Sequence, residues 1–214
     1  MHNREESEMK RLCAKEALKL VPDHGTIGLG GGETISYLCE YIKEAGKDVE
    51  AVTPSDQTKK VCKQLGITVI DTNDAKEVKI AFDGCDEVDQ NLNAYKSGGG
   101  IHTKEKIIAK MAQEYVLLVD ETKVVEELDC KVPVVLEVVP EAASYVTGEA
   151  QKLGARVKER DEKLLELYFE EIKDLRQLDQ DLKQITGVIE TSLFYQVASK
   201  AVVAGTDGIR IMQR

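Results

Sequence analysis

The amino-acid sequence predicts an α/β protein: a mostly parallel, helix-covered sheet followed by a second, smaller α+β unit. Three observations predict it. From residue 8 to residue 119, short apolar runs alternate with amphipathic stretches. Strands alternating with helices form parallel sheets, because each crossover lays a helix over a sheet face. The first apolar run, Thr26–Gly30, ends in a glycine-rich turn before the next helical stretch, as in Rossmann-like folds. Beyond Cys130 the order becomes strand, helix, two strands, helix, strand, the arrangement of a ferredoxin-like (split βαβ) unit.

Each element has its own signal. Residues Glu8–Leu20 carry Met9, Leu12, Cys13, Ala17 and Leu20 at helical spacing. After the strand Thr26–Gly30, Thr34–Ala45 reads as a helix with Ile35, Leu38, Cys39 and Ile42 on one face. Val49–Thr53 is a strand, and Ser55–Leu65 is a helix closed by Gly66. Ile67–Ile70 and Val78–Phe82 are strands, His102–Ala112 is a helix and Tyr115–Val119 a buried strand. In the second unit, Val132–Pro140 is strand-like, Glu141–Leu153 helical, Arg156–Glu159 and Leu164–Phe169 strands, Leu175–Ile185 a helix and Gly187–Phe194 a strand. The short strands Lys200–Gly205 and Ile209–Met212 return to the first unit. The expected division is residues 1–129 plus 204–214 for the α/β domain and 130–203 for the small domain.

Composition narrows the function. The net charge of −10 argues against a nucleic-acid surface, which needs clustered Lys and Arg, so an anionic substrate must be met by local positive groups. The five cysteines are scattered without a Cys-x-x-Cys pair, which disfavours a disulfide framework or a zinc cluster and fits a reducing cytoplasm. His2, His24 and His102 are far apart in sequence, against a histidine-based metal site. The polar N-terminus does not read as a signal peptide, and no apolar run approaches membrane-spanning length, so a cytoplasmic protein with no membrane partner is expected.

Two loops carry the chemistry. Gly28-Leu-Gly-Gly-Gly-Glu-Thr34 lies between a strand and a helix, where backbone N–H groups and the helix dipole favour an anion. Glu33 occupies the third glycine position of the dinucleotide fingerprint, and no Gly-Lys-[Ser/Thr] follows. The loop fits equally a tight turn capped by Thr34. Further on, Asp83-Gly-Cys-Asp-Glu-Val-Asp89 places four acids within seven residues, followed by Lys96-Ser-Gly-Gly-Gly100 and Lys104-Glu-Lys106. The acids alone also fit a solvated Asx-type turn or a Mg²⁺ site, although EF-hand spacing is absent. On a helix from Ile101, Glu105 shares the apolar face of Ile101, Ile108 and Ala112, with Lys106, Lys110 and Gln113 on the opposite side. A carboxylate on an apolar face is desolvated and becomes a better base. Lys104 lies near that face, so an ordinary ion pair at its edge is the alternative.

At these residues the sequence resembles the type A ribose-5-phosphate isomerases, whose motifs appear in order as Gly30-Gly-Gly-Glu-Thr34, Asp83-Gly-Cys-Asp-Glu87, Lys96-Ser-Gly-Gly-Gly100 and Lys104-Glu-Lys106. Asp120-Glu-Thr-Lys123 and Gly205-Thr-Asp-Gly208 extend the match over nearly the whole chain. The resemblance implies an aldose–ketose isomerase of the non-oxidative pentose phosphate branch, interconverting ribose 5-phosphate and ribulose 5-phosphate without cofactor or metal. It assigns Glu105 as the base that moves a proton between C2 and C1 through an enediolate. It assigns Asp83, Asp86 and Lys96 to ring opening and the O1/O2 protons. Substrate contacts map to Gly31, Gly32, Glu33 and Thr34, to Gly84 and Cys85, and to Ser97, Gly98 and Gly99, with Lys123 and Lys10 adding positive charge. A homo-oligomer, dimer or tetramer, is implied.

Three departures stand out. Glu33 replaces a serine and Gly31 a threonine at the phosphate end, Ser97 replaces a glycine, and the Asn-Gly-Asn hairpin near residues 161–165 is missing. Glu33 motivates the alternative of a sugar-phosphate-binding paralogue without turnover. An amino-sugar-phosphate deaminase or a CoA transferase is disfavoured by the Asp-Gly-x-Asp-Glu and Lys-x-Gly-Gly pair. Cys85 reads as a small packing residue rather than a reactive thiol.

Overall fold

The structure is a computed structural model that describes the backbone of residues 2–214 and the side chains of residues 6–214. The first half alternates as the sequence requires: α1 (His2–Leu18), β1 (His24–Leu29), α2 (Glu33–Glu44), β2 (Asp48–Val52), α3 (Asp56–Leu65), β3 (Thr68–Val69) and β4 (Val78–Asp83). Two short strands follow, β5 (Glu87–Val88) and β6 (Ala94–Tyr95), then α4 (His102–Met111) and β7 (Ala112–Asp120). The second half holds β8 (Val134–Val138), α5 (Ala143–Lys152), β9 (Arg156–Asp161), β10 (Leu164–Tyr168), α6 (Leu175–Gln184), β11 (Val188–Thr191), β12 (Leu193–Phe194), β13 (Lys200–Gly205) and β14 (Gly208–Gln213).

The main sheet has seven strands in the order β14-β13-β7-β4-β1-β2-β3, parallel except for the β13–β14 hairpin. Strand alternation sorts its side chains onto two faces. Val116 and Leu118 of β7 join a core with Cys13 and Ala17 of α1, Leu38 of α2 and Cys62 of α3. Tyr115, Leu117 and Val119 join the opposite core with Ile108 and Ala109 of α4 and Phe194 of β12. Burying a side chain such as Leu117 contributes about 1.5–3 kcal/mol, so the two-sided pattern of β7 places it firmly in the sheet interior.

Helix ends follow local chemistry in one case and depart from expectation in another. Ser55 caps α3, its Oγ accepting the Thr58 N–H at 3.2 Å, and Gly66 closes it at φ +75°, a conformation that a Cβ would strain. Helix α2 starts one residue earlier than expected. Gly32 is its N-cap and makes no side-chain cap, so Thr34 lies inside the first turn instead of capping it.

The small domain's sheet, β11-β8-β10-β9, is antiparallel throughout. That is the ferredoxin-like order, with the first and third strands of the unit side by side at its centre. The stretch 187–194, expected as one strand, is two strands in different sheets: β11 pairs with β8, whereas β12 pairs with β6 in a three-stranded sheet that also contains β5. Ser192 makes the break. It is fully buried, its N–H donates to the Val135 carbonyl at 2.7 Å, its hydroxyl accepts the Val135 N–H at 2.8 Å, and its carbonyl accepts the Lys96 N–H at 2.9 Å. Residues 200–203, assigned above to the small domain, lie in the main sheet, because β13 pairs along β7 from Lys200 onward.

Candidate active site

Strands β1 and β4 are neighbours in the main sheet, and their C-terminal ends carry the two loops singled out above. Parallel sheets place ligands at that edge. Asp83 is the last residue of β4 and is buried. Its Oδ1 accepts N–H groups from Gly84 at 2.8 Å and Gly31 at 3.4 Å, and its Oδ2 accepts the Tyr115 hydroxyl at 3.2 Å. Gly30 has to be glycine here: a Cβ on it would lie 1.9 Å from Asp83 Oδ1.

Lys96, at the end of β6, brings the acids together. Its buried ammonium donates to the Gly84 carbonyl at 2.6 Å and pairs with Asp83 at 2.9 Å and Glu105 at 3.1 Å. Burial alone would favour its neutral form, but the two carboxylates outweigh burial and raise its pKa above the ordinary lysine value. Glu105, in the first turn of α4, is only 6% exposed. Burial first, then the Asp83 charge, push its carboxyl up to about 7 against the opposing pull of Lys96. A carboxyl with that pKa can take up and release a proton near neutral pH. Lys104 is exposed, and Glu105 takes Lys96 as its partner. Asp86 is exposed and organises the glycine loop, its Oδ2 accepting N–H groups from Ser97 at 2.6 Å and Gly98 at 2.8 Å.

These groups open onto a cleft of about 370 Å³ lined by Gly84, Cys85, Asp86, Lys96, Gly99 and Glu105. Gly31, Gly32 and Lys123 face the same cleft. Other expected residues lie elsewhere. Ser97 is buried, its hydroxyl donating to the Pro133 carbonyl at 2.6 Å and lying 2.9 Å from Ser192 Oγ. Lys10 and Glu33 pair at 2.9 Å, and Glu33 also accepts the Tyr37 hydroxyl at 2.7 Å. The hydrogen bond from Lys10 lowers the Glu33 pKa below the usual value. Thr34 and Gly98 are likewise outside the cleft lining. The Cys85 thiol is buried and pushed up to about 12, which leaves it protonated. Among the described residues, no three or more His, Cys, Asp or Glu side chains converge as metal ligands, and no helix is long and apolar enough to cross a membrane.

The profile of the ribose 5-phosphate isomerase A (phosphoriboisomerase A) family matches residues 50–208. The chain belongs to this family. It is 34% identical to the ribose-5-phosphate isomerase A of Thermococcus kodakarensis over 97% of its own length and 98% of that protein's. The ribose 5-phosphate isomerase A structure from Methanocaldococcus jannaschii superposes with a TM-score of 0.88 at 32% identity, covering 97% of this chain and 99% of that one. A D-ribose-5-phosphate isomerase solved in complex with phospho-erythronic acid gives 0.90 at 32% identity, covering 97% and 98%.

Against the family motifs, the structure adds three residues that the sequence did not single out. Ser55 lines the cleft from the N-terminus of α3, directly after β2. Its position at the end of a parallel strand was the available signal. Tyr115 supports Asp83 from β7, a contact across strands that no local pattern marks. Arg160 of β9 donates to the carbonyls of Ser97 at 2.8 Å and Gly98 at 3.3 Å while pairing with Glu166 at 2.8 Å, so the small domain grips the glycine loop.

Proposed function

We propose that this chain interconverts D-ribose 5-phosphate and D-ribulose 5-phosphate, with Glu105 as the base. The observation that carries this reading is the buried Glu105 carboxyl, raised to about 7 and held 3.1 Å from the Lys96 ammonium in the cleft at the sheet's C-terminal edge. In the aldose-to-ketose direction, Glu105 takes the proton from C2 and the C–H electron pair forms the C1–C2 double bond of an enediolate. Charge moves onto O1, beside the Lys96 ammonium. Glu105 then returns the proton to C1 while the O2 hydroxyl proton passes to the O1 oxyanion, which leaves the ketone at C2 and a hydroxyl at C1. Asp83, 2.9 Å from Lys96, keeps that ammonium charged, the kind of fixed electrostatic field that stabilises a transition state without reorganising. Asp86, at the exposed side, serves the hydroxyl proton during ring opening.

The substrate phosphate is read at Gly31, Gly32, Ser55 and Lys123, where the N-terminus of α2 favours an anion. Glu33 is compatible with this because Lys10 and Tyr37 engage its carboxylate. Neither cofactor nor metal has a part in the scheme, and the working form is a cytoplasmic homo-oligomer. The test is turnover of ribose 5-phosphate by purified protein in EDTA. Ketose formation is expected. Folded protein that binds the sugar phosphate without converting it would replace this reading with a sensor.

A further inference from the structure

We propose that Lys106, the neighbour of the base, is a positioning residue that fixes the distance between Glu105 and Lys96 by bolting α4 to the crossing segment Glu190–Leu193. The proposal rests on the isomerase reading above.

The Lys106 ammonium is buried, about a quarter-turn of α4 away from Glu105. Its three N–H bonds face the Glu190 carboxylate at 2.9 Å, the Thr191 carbonyl at 2.6 Å and the Leu193 carbonyl at 2.9 Å, with the Thr191 hydroxyl a longer fourth acceptor at 3.4 Å. The Phe194 ring lies 4.9 Å away. Glu190 is held in turn by Lys183 at 3.0 Å, and Lys183 by Asp179 at 2.8 Å. Two cations thus face two carboxylates. One turn before Lys106, His102 Nε2 lies 3.2 Å from the Glu190 carbonyl, so two side chains of the catalytic helix reach the same strand.

The same segment holds the other catalytic arm. The Ser192 carbonyl accepts the Lys96 N–H at 2.9 Å, and the Ser192 and Ser97 hydroxyls are 2.9 Å apart. Lys106 and the backbone of Lys96 are therefore seated on consecutive residues of one buried strand crossing, and the 3.1 Å contact between Lys96 and Glu105 spans the gap between the two seats. A buried ammonium is a poor source of stability compared with an apolar side chain of equal size, because its desolvation offsets its pairing. Its saturated, directional contacts specify position.

Lys106→Met keeps the unbranched apolar stem of the side chain and removes its donors. Expected are a kcat lower by about ten- to hundredfold with KM nearly unchanged, the size of effect that a misplacement of about 1 Å produces. The acid limb of kcat/KM should move to higher pH. Glu105 is faced by Lys96 from β6, Asp83 from β4, Asp86 from the following loop and Tyr115 from β7, and of these only Lys96 lowers its pKa. Loosening the Lys96 contact therefore raises it. A carbon-13 titration of Glu105 in wild type and variant reads the same shift without turnover. If the variant does not fold, Glu190→Gln carries the test, with smaller changes in the same direction. A lowered melting temperature with kcat and the Glu105 titration unmoved overturns the proposal. Absence of turnover in the wild type would instead overturn the isomerase reading and leave the titration comparison intact.

Discussion

Replacing Glu105 with glutamine removes the base and keeps the side chain's shape. The Glu105 carboxyl is raised from 4.5 to about 7, so near neutral pH roughly half the molecules hold it as the reactive carboxylate. Below that value the wild-type rate should fall roughly tenfold per pH unit, and above it the rate should rise by no more than about twofold. General-base catalysis is worth about 10²–10⁴-fold, so Glu105→Gln should lose turnover by that factor at pH 8, where the wild-type carboxylate is nearly fully formed. Binding of the sugar phosphate should persist, because the groups at Gly31, Gly32 and Lys123 are untouched and Asp83 still pairs with Lys96. The assay is continuous ketose formation from ribose 5-phosphate between pH 5 and 9, with binding measured by calorimetry on the variant. A variant within about threefold of wild type, or a wild-type acid limb at the ordinary glutamate value, refutes Glu105 as the base.

Gly30→Ala should abolish most activity while the protein still folds. The new Cβ would occupy the place of Asp83 Oδ1 and force that carboxylate away from Lys96, with an overpacking cost of about 1–3 kcal/mol seen in denaturant unfolding; a variant of normal activity would show that Asp83 has no fixed role. Glu33→Ser should leave Lys10 paired with Glu6 alone, remove a negative charge beside the start of α2 and lower KM for the sugar phosphate severalfold, with stability changed by less than about 1 kcal/mol because the pair is partly exposed; an unchanged KM removes this pair from the phosphate end. Burial, above all, holds His102 down at about 4, so the native state prefers the neutral ring. Its contribution to stability is complete above the unfolded value of 6.5 and is lost as pH falls toward 4, on the order of 3 kcal/mol in all. His102→Gln should flatten the dependence of melting temperature on pH across that window, and an unaltered slope would count against the buried neutral histidine.

Much of the scaffold was legible because its signals are local. The apolar runs of β1, β4 and β7 and the Gly66 stop all act within a few residues, and the facing of Glu105 followed from helical spacing alone. What escaped depends on partners distant in sequence. Strands β5 and β6 are two residues each, too short for any periodicity, and exist because β12 returns from the small domain to pair with them. Lys106 was placed opposite the apolar face as if that side were merely polar, whereas the crossing segment buries it. The Lys10–Glu33 pair joins two helices, a contact that the glycine loop could not reveal by itself. Ser97 is accommodated in place of a glycine because its hydroxyl donates to the Pro133 carbonyl and accepts from the Ser192 hydroxyl.

The position of β13 has a consequence for how the molecule is made. Strand β7 pairs with β4 on one side and, on the other, with a strand that begins 80 residues after β7 ends. Helix α1 needs both, for the Cys13 thiol points at the carbonyls of Val119 in β7 and Val202 in β13. During synthesis, therefore, the first 120 residues emerge with the outer edge of a nine-residue strand, apolar from Tyr115 to Val119, bare and half the seat of α1 missing. The small domain, rich in antiparallel pairing of its own, can form in the meantime. The larger domain closes only when the final hairpin arrives. An exposed strand edge is a template for pairing with another chain. The hazardous species for this protein is thus the nearly finished nascent chain, and the step that ends the hazard is insertion of Lys200–Gly205 beside β7.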